Sequence, residues 1–445
     1  MVAQCSPNNG KGIMLNVKEL KKFYNGKRVL LTGHTGFKGS YMCVLLKYLG
    51  AKVYGYSLKP EKGSLYELLT VGANACGASR RGELCETTVG AKHREPVAAS
   101  YASGKNKLVE SEIFADIRDE KKLTAFIKKV KPDYILHMAA QPLVLEGYKN
   151  PRYTYDVNVM GTVTLMEAIK NYAVKAFTNS NSGESTRRGE LASPLLSILN
   201  VTTDKVYENN DLSDYAFKES DKLCGRDPYS NSKSCSELVT YTYNKSFFQD
   251  KNIYRISTAR AGNVIGGGDL NKDRIIPDCY RSIKNKKQMI IRNPHSIRPY
   301  QFVLEPLILY LNIMAMQVKD KKYEGNYNIG PDKKNCLTTK VLTEKFFRAW
   351  GALVEANALA GTKRREPIAR GELYAPAVVG AKHREPAPHE ASFLRLDNKL
   401  IKKTFNYKEI FNIDTTMKYT TKVYHDMLCK KNIYESILEV ITNTL

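Results

Sequence analysis

The chain has 445 residues, more than one hydrophobic core usually serves, so two or three domains, or two with insertions, are expected. With 42% hydrophobic and 26% charged residues the composition is that of an ordinary globular protein, which excludes a disordered or membrane-embedded chain. The 69 Lys plus Arg against 45 Asp plus Glu leave a net charge of +24, which suits phosphates, nucleic acid or an anionic membrane surface.

The basic residues are scattered, with no Lys/Arg block interleaved with aromatics, so a lysine-rich solvated surface or a small anionic substrate is favoured over nucleic acid. Steep salt dependence of DNA binding would be the signature of the alternative. Nine cysteines, an odd number without a C-x-x-C pair, fit a reduced cytoplasm. Seven histidines without H-x-x-x-H predict no metal. The opening MVAQCSPNNGKGIMLNVKEL lacks the apolar core of a signal peptide, and the most apolar stretch, Val303 to Met316, is broken by Glu305, Pro306 and Asn312. No association with a membrane is expected.

In chain order, an apolar strand at Arg28 to Thr32 leads through a glycine-rich turn to an amphipathic stretch from about Lys38 to Leu49, then a second strand from Lys52 to Ser57. A helix at Lys121 to Lys129, a strand at Tyr134 to Met138, a helix at Thr162 to Tyr172 and a strand at Ile198 to Thr202 follow. This alternation predicts an α/β fold, a Rossmann-type doubly wound parallel sheet over 26–265. After Gly266 the pattern loosens around Pro277, Pro294, Pro299 and Pro306, which predicts a smaller mixed α/β substrate domain over 266–445.

Three segments interrupt the rhythm. RRGEL at 80–84 recurs at 187–191, RGEL returns at 370–373, and VGAKHREP stands at 89–96 and again at 379–386. Their irregular spacing excludes a solenoid. They resemble in-frame palindromic repeat elements of some intracellular bacteria and read as surface insertions near 70–103, 178–197 and 355–387, which long loops tolerate at little entropic cost. His93 and His383, inside them, are not functional candidates.

Gly33, Gly36 and Gly39 in TGHTGFKG follow one strand and open one helix, as a dinucleotide fingerprint requires. Phe37 and Lys38 belong to the same turn. No acidic residue ends the second strand, leaving Ser57 as the nearest ribose partner. Asp116 in ADIR, with Ile117 beside it, is placed to accept from an adenine amino group or, alternatively, to cap a helix. Ala139 and Ala140 in HMAAQ leave room for the nicotinamide ribose, and Gln141 follows as a substrate candidate.

Tyr229 and Lys233 in YSNSK lie four residues apart, on one face of a helix that Asp227-Pro228 would start. The ammonium is expected to lower the phenol's pKa, so that a phenolate takes a proton from a sugar hydroxyl while hydride leaves the same carbon. Both also count as cofactor contacts. Thr203, Asp204 and Lys205 close an apolar strand, with an exposed lysine after the strand as the lesser alternative for Lys205.

TGHTGFKGS, DIRD, HMAAQPLV, NVMGT, TTDKVY, DPYSNSK, RAGNVIGGGD, IIRNPHSIRP and PHEASFLRLD together resemble the CDP-glucose 4,6-dehydratase family, extended short-chain dehydrogenases, over nearly the whole chain outside the insertions. The resemblance implies NAD as cofactor, a CDP-glucose substrate and a homodimer joined through helices including the one bearing Tyr229. It implies that Asp204 protonates the departing 6-hydroxyl, Lys205 acts at the 5-position and Thr203 bonds the 4-oxygen. Relatives acting on dTDP-glucose or GDP-mannose generally end this motif in Glu, and epimerases lack the acid–base pair. An epimerase, a reductase or a weakened NAD-binding relic are the competing readings.

In the later segments Asn263, Arg274 and Arg298 are expected on the substrate's diphosphate, with salt bridges as the alternative for the arginines. The chain departs from the family at Leu145, where arginine is expected, with Glu146 after it. It departs again at Leu270, where tryptophan is usual, and at Cys224-Gly225 in place of two glycines. These changes bear on substrate identity and affinity and leave the catalytic set intact.

Overall fold

The computed structural model describes residues 14–75, 107–178, 195–210, 214–249, 253–291, 293–359, 378–379 and 393–445. The expected insertions, with His93 and His383, fall mostly outside them.

The strands are β1 (Arg28–Thr32), β2 (Lys52–Ser57), β3 (Ser111–Phe114), β4 (Tyr134–His137), β5 (Leu196–Thr203), β6 (Tyr254–Ala261), β7 (Asn263–Ile265), β8 (Ile290–Ile291), β9 (Ile297–Phe302), β10 (Asn326–Ile329), β11 (Cys336–Thr338) and β12 (Val378–Val379). The helices are α1 (Val17–Tyr24), α2 (Phe37–Tyr48), α3 (Leu65–Ala75), α4 (Glu120–Val130), α5 (Val144–Lys149), α6 (Pro151–Tyr155), α7 (Gly161–Thr178), α8 (Pro228–Tyr243), α9 (Ile275–Lys284), α10 (Leu304–Lys319), α11 (Thr339–Leu359), α12 (Lys399–Phe405), α13 (Ile413–Leu428) and α14 (Ile433–Thr444).

The main sheet runs β3-β2-β1-β4-β5-β6-β10, every neighbour parallel. Its order reverses between β1 and β4, the switch point at which a doubly wound sheet opens a crevice for a dinucleotide. A parallel sheet is covered on both faces, so its central strands are buried and largely apolar. Leu30, Val29 and Leu31 of β1 are fully buried, and so is every residue of β5. Polar side chains inside β5 find partners: Ser197 donates to the Met314 carbonyl at 3.0 Å, and the Asn200 amide nitrogen to Ser236 and Thr240 at 3.0 and 2.8 Å.

Side chains of α1, α2, α10 and α14 fill the core on one face, and those of α4 and α7 the core on the other, where α8 packs on β5. The expected amphipathic helix at 38–49 is instead buried all round from Gly39 to Leu46, because α3 and α14 cover its outer side. β5 begins at Leu196, inside the span read as the second insertion.

The boundary expected at 265/266 is crossed. α10 returns to pack on β5 and β6, and β10 completes the main sheet beside β6. α10 is also the apolar stretch read as broken by proline. Pro306 sits in its first turn, where a missing N–H leaves no helical hydrogen bond unmade. Buried Glu305, on the same turn, accepts from the Ile410 and Phe411 amides, both at 3.0 Å, and from the Tyr407 hydroxyl, so α10 also anchors the C-terminal segment. Among the described residues no helix is long and apolar enough to cross a membrane. The remaining core gathers Tyr280 and Tyr424, stacked at 4.4 Å, with Phe346 and Trp350 between α9, α11 and α13, beside the small sheet β11-β9-β7.

His137 ends β4 in the middle of the sheet and is buried. Thr32 Oγ1 accepts from the Met138 and Ala139 amides, so its one hydrogen goes to His137 Nδ1 at 2.8 Å, which leaves the imidazole neutral. Burial, then the nearby Lys233 charge, pushes its pKa down to about 3. A histidine with a depressed folded pKa contributes stability above its unfolded pKa, and that stability is lost as pH falls toward the folded value. Urea unfolding between pH 7 and 4 is therefore expected to show a component of up to about 1.4 kcal/mol per pH unit that His137→Gln removes; equal slopes would contradict this.

Candidate active site

The glycine turn joins β1 to α2 at the switch point. Gly33 has φ +75°, in the left-handed region, and a Cβ there would lie 2.7 Å from the Ala139 amide nitrogen. A Cβ at Gly39 would lie 2.2 Å from the Gly33 carbonyl oxygen. Gly36 is the N-cap of α2 and offers no side-chain cap, so the first amides of the helix remain available to an anion. A cradle shaped by two obligatory glycines and ending on an uncapped helix fits a dinucleotide pyrophosphate.

Around it, Ser57 shares a 2.7 Å hydrogen bond with Thr35. Asp116 does not cap α4; Asp119 does, accepting from the Lys122 amide. Asp116 instead accepts from Arg118 at 2.9 and 2.8 Å, and that guanidinium holds its carboxyl below the usual range. Ile117 packs on Gly161, and Ala139 follows β4 against the glycine turn. One acidic group near this end escaped the sequence reading: Glu112 of β3, in register with Gly55, lies 2.8 Å from His34 Nε2 and accepts from Tyr66 at 2.6 Å. Strand pairing, which no local pattern reveals, puts it there.

α8 starts as expected, with Asp227 accepting from the Ser230 amide and Pro228 in its first turn. Tyr229 and Lys233 are both buried, and Lys233 Nζ donates to the Val201 carbonyl at 3.3 Å. Thr203 and Asp204 stand where β5 ends. Asp204 is fully buried; its Oδ1 accepts from Thr203 Oγ1 and Lys205 Nζ, both at 3.0 Å, while Oδ2 is buried with no partner. Lys205 Nζ also reaches Asn263 Oδ1 at 3.4 Å. A buried carboxylate oxygen left open beside an ammonium is a place for a ligand hydroxyl.

The electrostatics differ from the expectation in one respect. Burial pushes the Tyr229 phenol above its ordinary pKa, against the lowering effects of the Lys205 charge and a hydrogen bond with Thr203. Desolvation outweighs the neighbouring cations, and the foremost of these is Lys205 rather than Lys233. Lys233 itself is pushed down to about 8 by burial, with the Glu237 carboxylate acting upward. Lys38 is pushed down to about 7 by burial and by the charges of Lys233 and Arg274, with Asp204 opposing. Lys38 therefore faces Lys233 and Asp204 as well as belonging to the glycine turn.

Arg274 caps the start of α9 and pairs with buried Asp269 at 2.8 Å. Arg298 is buried on β9, donating to the Ile297 carbonyl at 3.0 Å. Gln141 is committed internally, its amide donating to Thr154 at 2.8 Å and accepting from the Leu143 amide at 2.6 Å, which makes it a brace of the loop after β4. Of the departures, Glu146 accepts from Asn150 at 2.5 Å on α5, and Leu270 packs on the α9–α13 core. Gly225 keeps the essential place, since a Cβ there would lie 2.3 Å from the Ser230 carbonyl carbon. The leading arginine of RAGNVIG, Arg260, is not at the site; it is buried in the core against Glu237.

A model of the NAD dependent epimerase/dehydratase family matches residues 29–330. The chain is 37% identical over 384 residues to a CDP-glucose 4,6-dehydratase of Salmonella typhimurium, covering 85% of this chain and 84% of that protein. It is 26% identical over 250 residues to a dTDP-glucose 4,6-dehydratase of Haemophilus influenzae, covering 54% of this chain and 67% of that one. The solved structure of dTDP-glucose 4,6-dehydratase from Bacillus anthracis in complex with NAD shares the fold, with a TM-score of 0.59 at 18% identity over 92% of this chain and 100% of that one. With the glycine cradle, the TTDK strand end and the YSNSK helix all inside the matched span, the chain belongs to the NAD dependent epimerase/dehydratase family.

Proposed function

We infer that the protein is a nucleotide-sugar 4,6-dehydratase, a hydro-lyase that uses NAD to convert CDP-glucose to CDP-4-keto-6-deoxyglucose and water. The observation that carries this reading is the meeting of two pairs at one strand edge: Tyr229 with Lys233 for oxidation, and Asp204 with Lys205 for elimination. An epimerase or reductase needs only the first pair. The 37% identical relative named for CDP-glucose supports the choice of sugar nucleotide.

NAD would be held by the Gly33–Gly39 cradle and the first amides of α2, and would supply the hydride acceptor and donor of the reaction. Tyr229 accepts the 4-hydroxyl proton, helped by the charges of Lys205 and Lys233, while Thr203 orients the 4-oxygen. The ketone acidifies the neighbouring 5-proton, which Lys205 takes once it has passed its own proton to Asp204, 3.0 Å away. Asp204 donates the proton received from Lys205 to the 6-hydroxyl, which leaves as water; Lys205 returns its proton to the 5-carbon, and the proton held by Tyr229 then passes to Lys205, restoring the starting state. Arg274, Arg298 and Asn263 hold the diphosphate. The assembly is a homodimer, supported by Tyr148, Tyr153, Met160, Leu238 and Tyr241, which are exposed on α5, α6, the turn before α7, and α8. Its place is the reduced cytoplasm, supported by the free state of every described cysteine.

The decisive experiment incubates the protein with NAD and, separately, CDP-glucose, dTDP-glucose, UDP-glucose and GDP-mannose, and follows mass for loss of water. Loss from CDP-glucose alone is expected; epimerised sugar of unchanged mass would overturn the reading. Tyr229→Phe should lower turnover by at least about a hundredfold with its melting temperature kept. Lys205→Met should lose dehydration to a similar degree, about a hundredfold, yet still form oxidised sugar, detectable by reductive trapping. Leu238→Glu should convert the dimer to a monomer by light scattering, and a wild-type monomer would exclude the dimer.

A further inference from the structure

Beneath the catalytic residues lies a carboxylate that neither touches substrate nor belongs to the motifs. Glu237 sits on α8 one helical turn past Lys233 and two past Tyr229, and it is 3% exposed. Its Oε1 accepts from Thr202 Oγ1 at 2.5 Å and Arg260 Nε at 2.9 Å, and its Oε2 from Arg260 Nη2 at 2.8 Å and Thr258 Oγ1 at 2.9 Å. Thr202 and Arg260 stand opposite one another in the β5–β6 ladder. Arg260 Nη1 goes on to the Tyr207 hydroxyl at 2.7 Å and the Glu219 carbonyl at 3.1 Å.

Each element this carboxylate joins delivers part of the site. Tyr229 and Lys233 come from α8; Thr203, which follows Thr202, and Asp204 come from the end of β5; Asn263 comes three residues after Arg260. A displacement of Glu237 therefore moves one catalytic pair against the other. An ion pair whose partners are 1% and 2% exposed forfeits most of its hydration, and an apolar filling of equal volume would hold the elements together as well or better. Stability alone does not account for a charge here.

Lys233 gives the charge a use. Its ammonium is fully buried, and Glu237 is the carboxylate that acts to keep it protonated. Lys38 faces it from α2, neutral His137 from β4, and Tyr229 from its own helix, and none of these supplies a negative charge at neutral pH.

We propose that Glu237, fixed by Arg260, is a positioning residue of the reaction: it sets α8 against the end of β5 and maintains the positive charge of Lys233 under the redox centre. The proposal rests on the assignment of Tyr229 and Lys233 as the oxidation pair.

The test is the pH dependence of kcat and KM for Glu237→Gln, Glu237→Asp and the double variant Glu237→Gln/Arg260→Met, all with NAD and CDP-glucose. Glu237→Gln should lose at least about tenfold in kcat with KM changed less than about threefold, since an interaction that orders the reacting groups is removed. Its alkaline limb should move about one pH unit lower, because Lys233 loses its proton earlier without the carboxylate. Glu237→Asp keeps the charge and should retain the wild-type alkaline limb. The double variant leaves no uncompensated buried charge, so it carries the test if Glu237→Gln does not fold; it should recover the melting temperature but keep the displaced limb.

A double variant with wild-type kcat and pH profile would reduce the pair to a structural tie and overturn the proposal. Full activity in Glu237→Gln would do the same. Failure of the underlying assignment is distinct, because Tyr229→Phe would then turn over like wild type.

Discussion

A parallel hydrogen-bond ladder obliges its strands to end at the same edge, and the site follows from that obligation. Thr32 pairs with His137, His137 with Asn200, and Thr203 with Ala261, so β1, β4, β5 and β6 finish side by side. Whatever follows those strands is brought together: the glycine turn after β1, the alanines after β4, the Thr203–Lys205 corner after β5 and Asn263 after β6. Helix α8 then crosses behind β5 and sets Tyr229 and Lys233 under the same edge.

This edge concentrates positive charge. Lys38, Lys205, Lys233 and Arg274 gather near buried Asp204, with Asp269 paired to Arg274 and Glu237 acting on Lys233, and burial has pushed Lys38 and Lys233 toward the range where they gain and lose protons. Such an arrangement is unfavourable until anions enter it, and a dinucleotide with a sugar-nucleotide diphosphate brings them. The +24 read from composition thus has a local counterpart.

The layers also explain how the two units read from sequence are tied together. The chain leaves the main sheet after β6 and builds the small sheet around β9. It then returns through α10 and β10, with Glu305 tying the far C-terminal segment to the returning helix. Arg274 and Arg298, proposed for the diphosphate, therefore sit between the leaving and the returning chain, and Arg274 is held by Asp269 in the turn that Tyr41 of α2 grips through the Gly267 carbonyl at 2.8 Å.

Local pattern alone determined the main strands of the first half, the helix start at Asp227-Pro228 and the glycine turn, and it marked Tyr229, Lys233, Asp204 and Lys205 as candidates, because each is written in contiguous residues whose spacing the backbone obeys. The motif resemblance added the reaction and the sugar nucleotide. Only the tertiary structure decided that Gln141 braces a loop, that Asp119 rather than Asp116 caps α4, that α2 is buried all round and that desolvation lifts the Tyr229 pKa despite its cations. It alone brought Arg260 to Glu237 and Glu112 to His34. Those outcomes depend on which strands pair and which helix covers which face, and burial, which sets the energy of every charge here, belongs to the folded arrangement and to no stretch of sequence.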